Sequence, residues 1–245
     1  MNRIENMFMS FKGVRSETVG ARLISMPIRQ HTALRGSKVN LPGRDGFLLV
    51  PEGYQEITVK VDLAVPDNAD LPAAMGWLMG SGDLVFGDFP TKAYQATVMT
   101  VTPLQSITTR LEGQKFTVTF TCQPFLHLVN EAQIILTSGY VFNGQGDVNA
   151  MPLIEVEGSG SQTLMINGRS MILTLTAGTP LYIDNDAGTA YTVDGDALVF
   201  AGERVNVEDD WFELYPVADD ASGYNNVNFT SGITRVTITP RWRFA

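Results

Sequence analysis

The sequence predicts an all-β protein of two domains, the first sandwich- or barrel-like with one short helix and the second a β-sandwich. Three observations carry this prediction: period-two alternation of apolar and polar residues, Asn-Gly and Asp-Gly turn signals between such runs, and one short helical pattern. At 245 residues, 44% hydrophobic and 18% charged, the chain is long enough to bury a sizeable core without disulfides or metal.

The first clear strand lies at residues 57–63, where Ile57, Val59, Val61 and Leu63 alternate with Thr58, Lys60 and Asp62. A helix is predicted over residues 70–79. Asp70 is placed to accept from the free first-turn amides, Pro72 is tolerated where its missing N–H needs no partner, and Gly80 stops the helix. Ala73, Ala74, Trp77 and Leu78 are expected on the face that meets a sheet. Strands follow at 98–101 and 116–122, the second placing Phe116, Val118, Phe120 and Cys122 on one face. Cys122 is the single cysteine, so no internal bridge forms, and its apolar row makes it a core thiol rather than a reactive one.

Beyond Pro124 the pattern loosens through Thr137-Ser138-Gly139 and the polar, Gly-rich run at 142–147, which places a domain boundary near residue 137 and gives domains 1–136 and 137–245. Charge changes at the same place. Residues 1–136 hold 12 Lys+Arg against 12 Asp+Glu, and residues 137–245 hold 5 against 14, so the second domain carries the whole net charge of -9. That balance argues against direct nucleic-acid binding and reads as a solvated acidic surface. In the second domain, strands are predicted at 154–156, 164–166, 171–175, 181–183 and 236–238. Asn167-Gly168 is the strongest hairpin signal, with Asn143-Gly144 and Asp194-Gly195 as further turns.

Residues 1–11 lack the apolar stretch of a secretory signal, and no segment has the length and apolarity of a membrane span. Material for catalysis is thin. The two histidines, His31 and His127, have no nucleophile motif beside them. Gly158-Ser159-Gly160-Ser161 leads into a strand rather than a phosphate-holding helix. Asp184, Asp186, Asp194 and Asp196 lack the glycine and closing glutamate of a calcium loop, and Asp209-Asp210-Trp211 reads as an acidic turn with an aromatic anchor rather than a glycosidase pair. Neither a cofactor nor a metal is predicted.

One ordered set of motifs runs through nearly the whole chain. It comprises Pro42-Gly43-Arg44-Asp45-Gly46, Trp77-Leu78, Gly82-Asp83-Leu84-Val85-Phe86, Tyr94-Gln95-Ala96 and Cys122-Gln123-Pro124-Phe125. Pro152, Ile154, Val156, Gly158-Ser159-Gly160, Ile166-Asn167-Gly168 and the 232–243 ending complete it. The series resembles the distal tail protein of long-tailed, siphovirus-type bacteriophages, the hub of a tail tip or baseplate. Residues 215–226 depart from it, since the family more often has a short P-G-x-N turn there.

The resemblance implies a galectin-like C-terminal β-sandwich and an N-terminal domain that forms a homo-hexameric ring. The ring stacks between the tail tube protein and the tail-associated hub protein, and outer domains meet receptor-binding or peripheral baseplate proteins. It also implies a virion component assembled in the bacterial host cytoplasm, with no catalytic role and no membrane insertion. Arg44, Asp45, Trp77 and Tyr94 become candidate ring or stacking contacts, with core packing the other reading of Trp77 and Tyr94 and a solvated turn that of Arg44 and Asp45. The alternatives are a tail-tube subunit and a carbohydrate-binding module, in which Trp211, Tyr215 and Tyr224, beside Asp209, Asp210 and Asn225, are the candidate glycan contacts.

Overall fold

The computed structural model describes residues 7–29, 31–106, 113–217 and 224–245. The protein is nearly all β, and its contacts divide it into two compact units, Met1–Val129 with Ala245, and Asn130–Phe244.

The first unit contains β1 (Met9–Phe11), β2 (Val14–Arg15), β3 (Arg22–Leu23), β4 (Leu34–Val39), β5 (Leu48–Tyr54), β6 (Ile57–Val65), α1 (Leu71–Trp77), β7 (Ser81–Phe86), β8 (Lys92–Val101), β9 (Gln105–Ser106) and β10 (Gln114–Leu128). Its main sheet is antiparallel in the order β2-β1-β7-β8-β10-β6-β3, with β9 also on β10. The alternation read from the sequence is what pairs. β10 runs against β6 from Gln114 opposite Val65 to Cys122 opposite Ile57, so Phe116, Val118, Phe120 and Cys122 face the core with Ile57, Val59, Val61 and Leu63. Between Cys122 and Leu126 the register against β8 breaks, and Pro124, which has no N–H to give a ladder, falls in that break. Phe11 joins the strands to the helix, meeting Phe120 edge-on at 5.3 Å and Trp77 at 6.3 Å.

The helix is shorter than predicted and is entered differently. A 3₁₀ turn, Asn68–Asp70, precedes it, and Asp67 rather than Asp70 accepts from a free amide, that of Ala69 at 2.9 Å. Asp70 makes no capping bond because the chain is already helical there, and its side chain lies against Gly20. Ala74, Trp77 and Leu78 are buried as expected, but Ala73 is exposed; at about 100° per residue the apolar stripe runs through Leu71, Ala74, Met75 and Leu78, and Ala73 lies opposite it.

The second unit contains β11 (Ile134–Leu136), β12 (Tyr140–Asn143), β13 (Leu153–Gly158), β14 (Gly160–Ile166), β15 (Arg169–Leu175), β16 (Leu181–Asp184), β17 (Thr189–Asp194), β18 (Ala197–Phe200), β19 (Val205–Val207), β20 (Tyr224–Phe229) and β21 (Ile233–Thr239). These form two antiparallel sheets, β11-β21-β13-β16-β17-β18 and β12-β20-β14-β15-β19. Ile154, Ile183 and Ile238 from the first and Leu164, Met171 and Val227 from the second are buried, the pattern of a β-sandwich. Asn167 (φ 54°) and Gly168 (φ 84°) make the two-residue turn between β14 and β15, as Asn-Gly predicts. Gly144 is not a turn of that kind. A Cβ there would sit 1.9 Å from the Tyr215 carbonyl oxygen, so glycine is required by close approach of two backbones.

Candidate assembly surfaces

Among the described residues of the first unit, the β4–β5 hairpin stands apart from the main sheet. Its strands pair with each other and with no third strand among the described residues, and every residue of β5 is exposed. Six to seven residues per strand give it a reach of about 20 Å. Its base is fixed by Tyr54, which meets the Phe125 ring edge-on at 4.8 Å, and the Lys38 ammonium lies 4.8 Å over Phe47 near the tip. The tip is the Pro42-Gly43-Arg44-Asp45-Gly46 turn, closed by the Arg44 amide donating to the Leu41 carbonyl at 3.3 Å. Phe47 and Leu48 beside it are 55% and 54% exposed. An apolar ribbon of this size stays in water only at a cost that a covering surface removes.

In the second unit, a buried carboxamide network holds the segment around residues 211–217. Asn225, fully buried, accepts at Oδ1 from the Tyr215 amide at 2.7 Å and from Asn167 Nδ2 at 2.8 Å, and donates from Nδ2 to the Tyr215 carbonyl at 3.1 Å. Asn167 also donates to the Glu213 carbonyl at 2.8 Å and accepts from the Asn226 amide at 2.9 Å. A turn residue thus doubles as a latch between two strands and a loop. Trp211 is held elsewhere: its indole lies against Gly188 and its carbonyl accepts from Arg169.

Several titratable groups are engaged structurally. Burial pushes the Cys122 thiol up to about 12 and raises the Tyr94 hydroxyl above its ordinary value, the nearby Arg29 only partly opposing it. Burial of Asp184 acts to raise its carboxyl, but the bidentate Arg241 guanidinium at 2.7 and 3.0 Å and the amides of Ala187 and Asp186 outweigh it and hold the group below the usual range. Arg241 itself has a left-handed backbone (φ 57°), and its amide and that of Trp242 both donate to the Glu131 carboxylate at 2.7 Å. His127 Nε2 stands 3.2 Å from Asp83, and His31 is exposed. Among the described residues no three His, Cys, Asp or Glu side chains gather as metal ligands, and no helix is long and apolar enough to cross a membrane.

No family model and no curated protein matches this chain. Solved structures do. The crystal structure of the SPP1 Dit (gp 19.1) protein, described as a paradigm of the hub adsorption apparatus in phages infecting Gram-positive bacteria, superposes with a TM-score of 0.68 over 97% of this chain and 99% of its own, at 17% identity. The chain has the fold of SPP1 Dit. The phage P2 baseplate in its activated conformation with calcium matches at a TM-score of 0.46 and 7% identity, over 89% of this chain and 90% of that one.

On this Dit fold the residues singled out in the sequence separate. Arg44 and Asp45 are exposed at the hairpin tip, whereas Trp77 and Tyr94 are 6% exposed in the core of the first unit, with the Trp77 indole donating to the Phe11 carbonyl at 3.0 Å. Burial therefore follows their core-packing reading. Trp211, Tyr215 and Tyr224 are fixed by three different neighbours, the last as the first residue of β20 opposite Asn143. Sequence reading missed the latch role of Asn167 and Asn225, for which the only signal was an asparagine-rich stretch at 225–228, and the exposure of the apolar runs at 47–50 and 197–200.

Proposed function

We propose that this protein is the structural hub of a phage tail tip or baseplate, a ring of six copies lying between the tail tube protein and the tail-associated hub protein, with no catalytic role. The observation that carries this reading is the end-to-end fold match to SPP1 Dit, which spans both units of the chain rather than one reusable domain. The β4–β5 hairpin supports the ring. A heterologous contact repeated around an axis closes on itself and covers the same patch on every copy, and the exposed hairpin is such a patch, its occupant a second copy of the chain. Arg44 and Asp45 at its tip are then contacts to the neighbour. The zero net charge of residues 1–136 suits side-by-side packing, and the acidic residues 137–245 suit a solvated outer domain that receives peripheral tail proteins. The protein is accordingly a virion component, assembled in the host cytoplasm.

Native mass measurement of the full chain tests this. We expect a species of six times the 26.8 kDa chain, and its loss in Leu48→Asp with the unfolding transition unchanged. A wild-type chain that stays monomeric at high concentration and shows no rings by electron microscopy overturns the reading.

A further inference from the structure

The second unit ends one of its sheets in a way that folded proteins ordinarily avoid. Edge strands are usually blunted by a charge, a proline, a bulge or extreme shortness, because an open edge templates another strand. β18 has none of these devices: its sequence is Ala197-Leu198-Val199-Phe200, and its pairing with β17 runs without a register shift. Among the described residues no strand lies on its other side. Leu198 and Phe200 are 69% and 71% exposed, and every residue of the strand is exposed.

The register says what this edge offers. The Ala201 amide donates to the Ala190 carbonyl, so in an antiparallel ladder Val199 and Ala197 also turn their main-chain groups toward β17. Leu198 and Phe200 then direct their N–H and C=O outward. Their side chains continue a cross-strand row on the outer sheet face, Tyr182 opposite Tyr191 and Tyr191 opposite Phe200, the two tyrosine rings stacked at 5.3 Å. The surroundings are acidic. Asp194 ends β17, Asp196 lies in the turn before β18 and Glu203 follows it, while Arg204 is engaged by Glu203 at 3.9 Å and Arg241 by Asp184.

We infer that β18 is a docking edge for an extended segment of another protein, which adds as a further strand, sets alternate apolar side chains on Leu198 and Phe200, and carries Lys or Arg at its flanks to meet Asp194, Asp196 and Glu203. The main-chain edge specifies an extended peptide, the apolar row specifies its alternation, and the acidic rim specifies the sign of its flanks. This surface belongs to the second unit and does not depend on the ring.

The test uses the full-length chain and a displayed library of random decapeptides. Enriched peptides are expected to alternate apolar residues between basic flanks, to bind more weakly as salt rises, and to slow amide exchange at Leu198 and Phe200. Leu198→Pro removes one outward N–H at a position where an edge strand tolerates proline, and it is expected to weaken a synthesised peptide by roughly threefold to tenfold. Leu198→Ala keeps the amide and should retain more of the binding. Unfolding midpoints establish that both variants are folded. The inference is overturned if no alternating basic peptide is enriched, if Leu198→Pro binds as wild type does, or if wild-type chains instead pair through β18 with one another.

Discussion

Phe120→Ala probes the core of the first unit most directly. Phe120 is fully buried, its ring meets Phe11 edge-on at 5.3 Å, and its strand is held on both sides, against Val59 in β6 and Val98 in β8. Truncating a buried phenylalanine costs about 3–5 kcal/mol, depending on how far the site collapses. Here the unbroken ladder with β6 resists collapse and the aromatic pair with Phe11 is lost as well, so the upper part of that range, about 4–5 kcal/mol, is expected. At about 3–4 °C per kcal/mol for a unit of this size, its transition should fall by roughly 12–20 °C. Calorimetry is the suitable assay, because the units are compact by themselves and the transition that carries the first is the one expected to move. Thr119→Ala, on the opposite face of the same strand, should stay within about 1 kcal/mol of wild type. A cost for Phe120→Ala below about 1 kcal/mol would refute the core assignment.

Three further outcomes follow from the same geometry. Asp184→Asn should destabilise the second unit by about 1–2 kcal/mol at pH 7, discounted because Arg241 is 37% exposed. Since the folded carboxyl titrates below the ordinary 3.8, its contribution is complete above that value and fades as pH falls beneath it; urea midpoints of wild type and variant should therefore converge in acid, and a gap that widens there contradicts the pair. Asn225→Ala strands the Tyr215 amide and carbonyl and should cost about 2–3 kcal/mol in chemical denaturation, a neutral result being incompatible with the latch. Cys122, buried with its thiol pushed up to about 12, should react with a disulfide reagent at pH 8 only on unfolding, and rapid stoichiometric labelling of the native protein would show the strand misplaced.

What the sequence made legible is what local periodicity encodes. The faces of β6 and β10, the Asn167-Gly168 turn and the helix stripe all repeat within a few residues, and a buried face must be apolar along its length. Ala73 was misread because the stripe was drawn through it instead of through Leu71 and Met75, which share the face of Ala74 and Leu78, and Asp70 because a 3₁₀ turn already carries the chain before the helix. The apolar runs at 47–50 and 197–200 carry no mark of exposure, because an apolar run reads the same in sequence whether its strand lies in the core or at the surface. The network around Asn225 joins residues 58 positions apart, and no spacing rule reaches that far.

β10 and β21 are each the last strand of their unit, yet neither lies at an edge: β10 stands between β8 and β6, and β21 between β11 and β13. On a ribosome, β6 and β8 therefore wait for residues 114–128 before either gains its central neighbour, and β11 and β13 wait for residues 233–239. Pairings of such long sequence separation form slowly. A chain cut before β21 does not lose an appendage; it loses the middle of a sheet, and leaves Ile154 and Val156 without the strand that closes over their ladder. Without β21, β11 has no partner and β13 keeps a neighbour on one side only, so the whole of that sheet depends on a strand that arrives after every other strand of its unit.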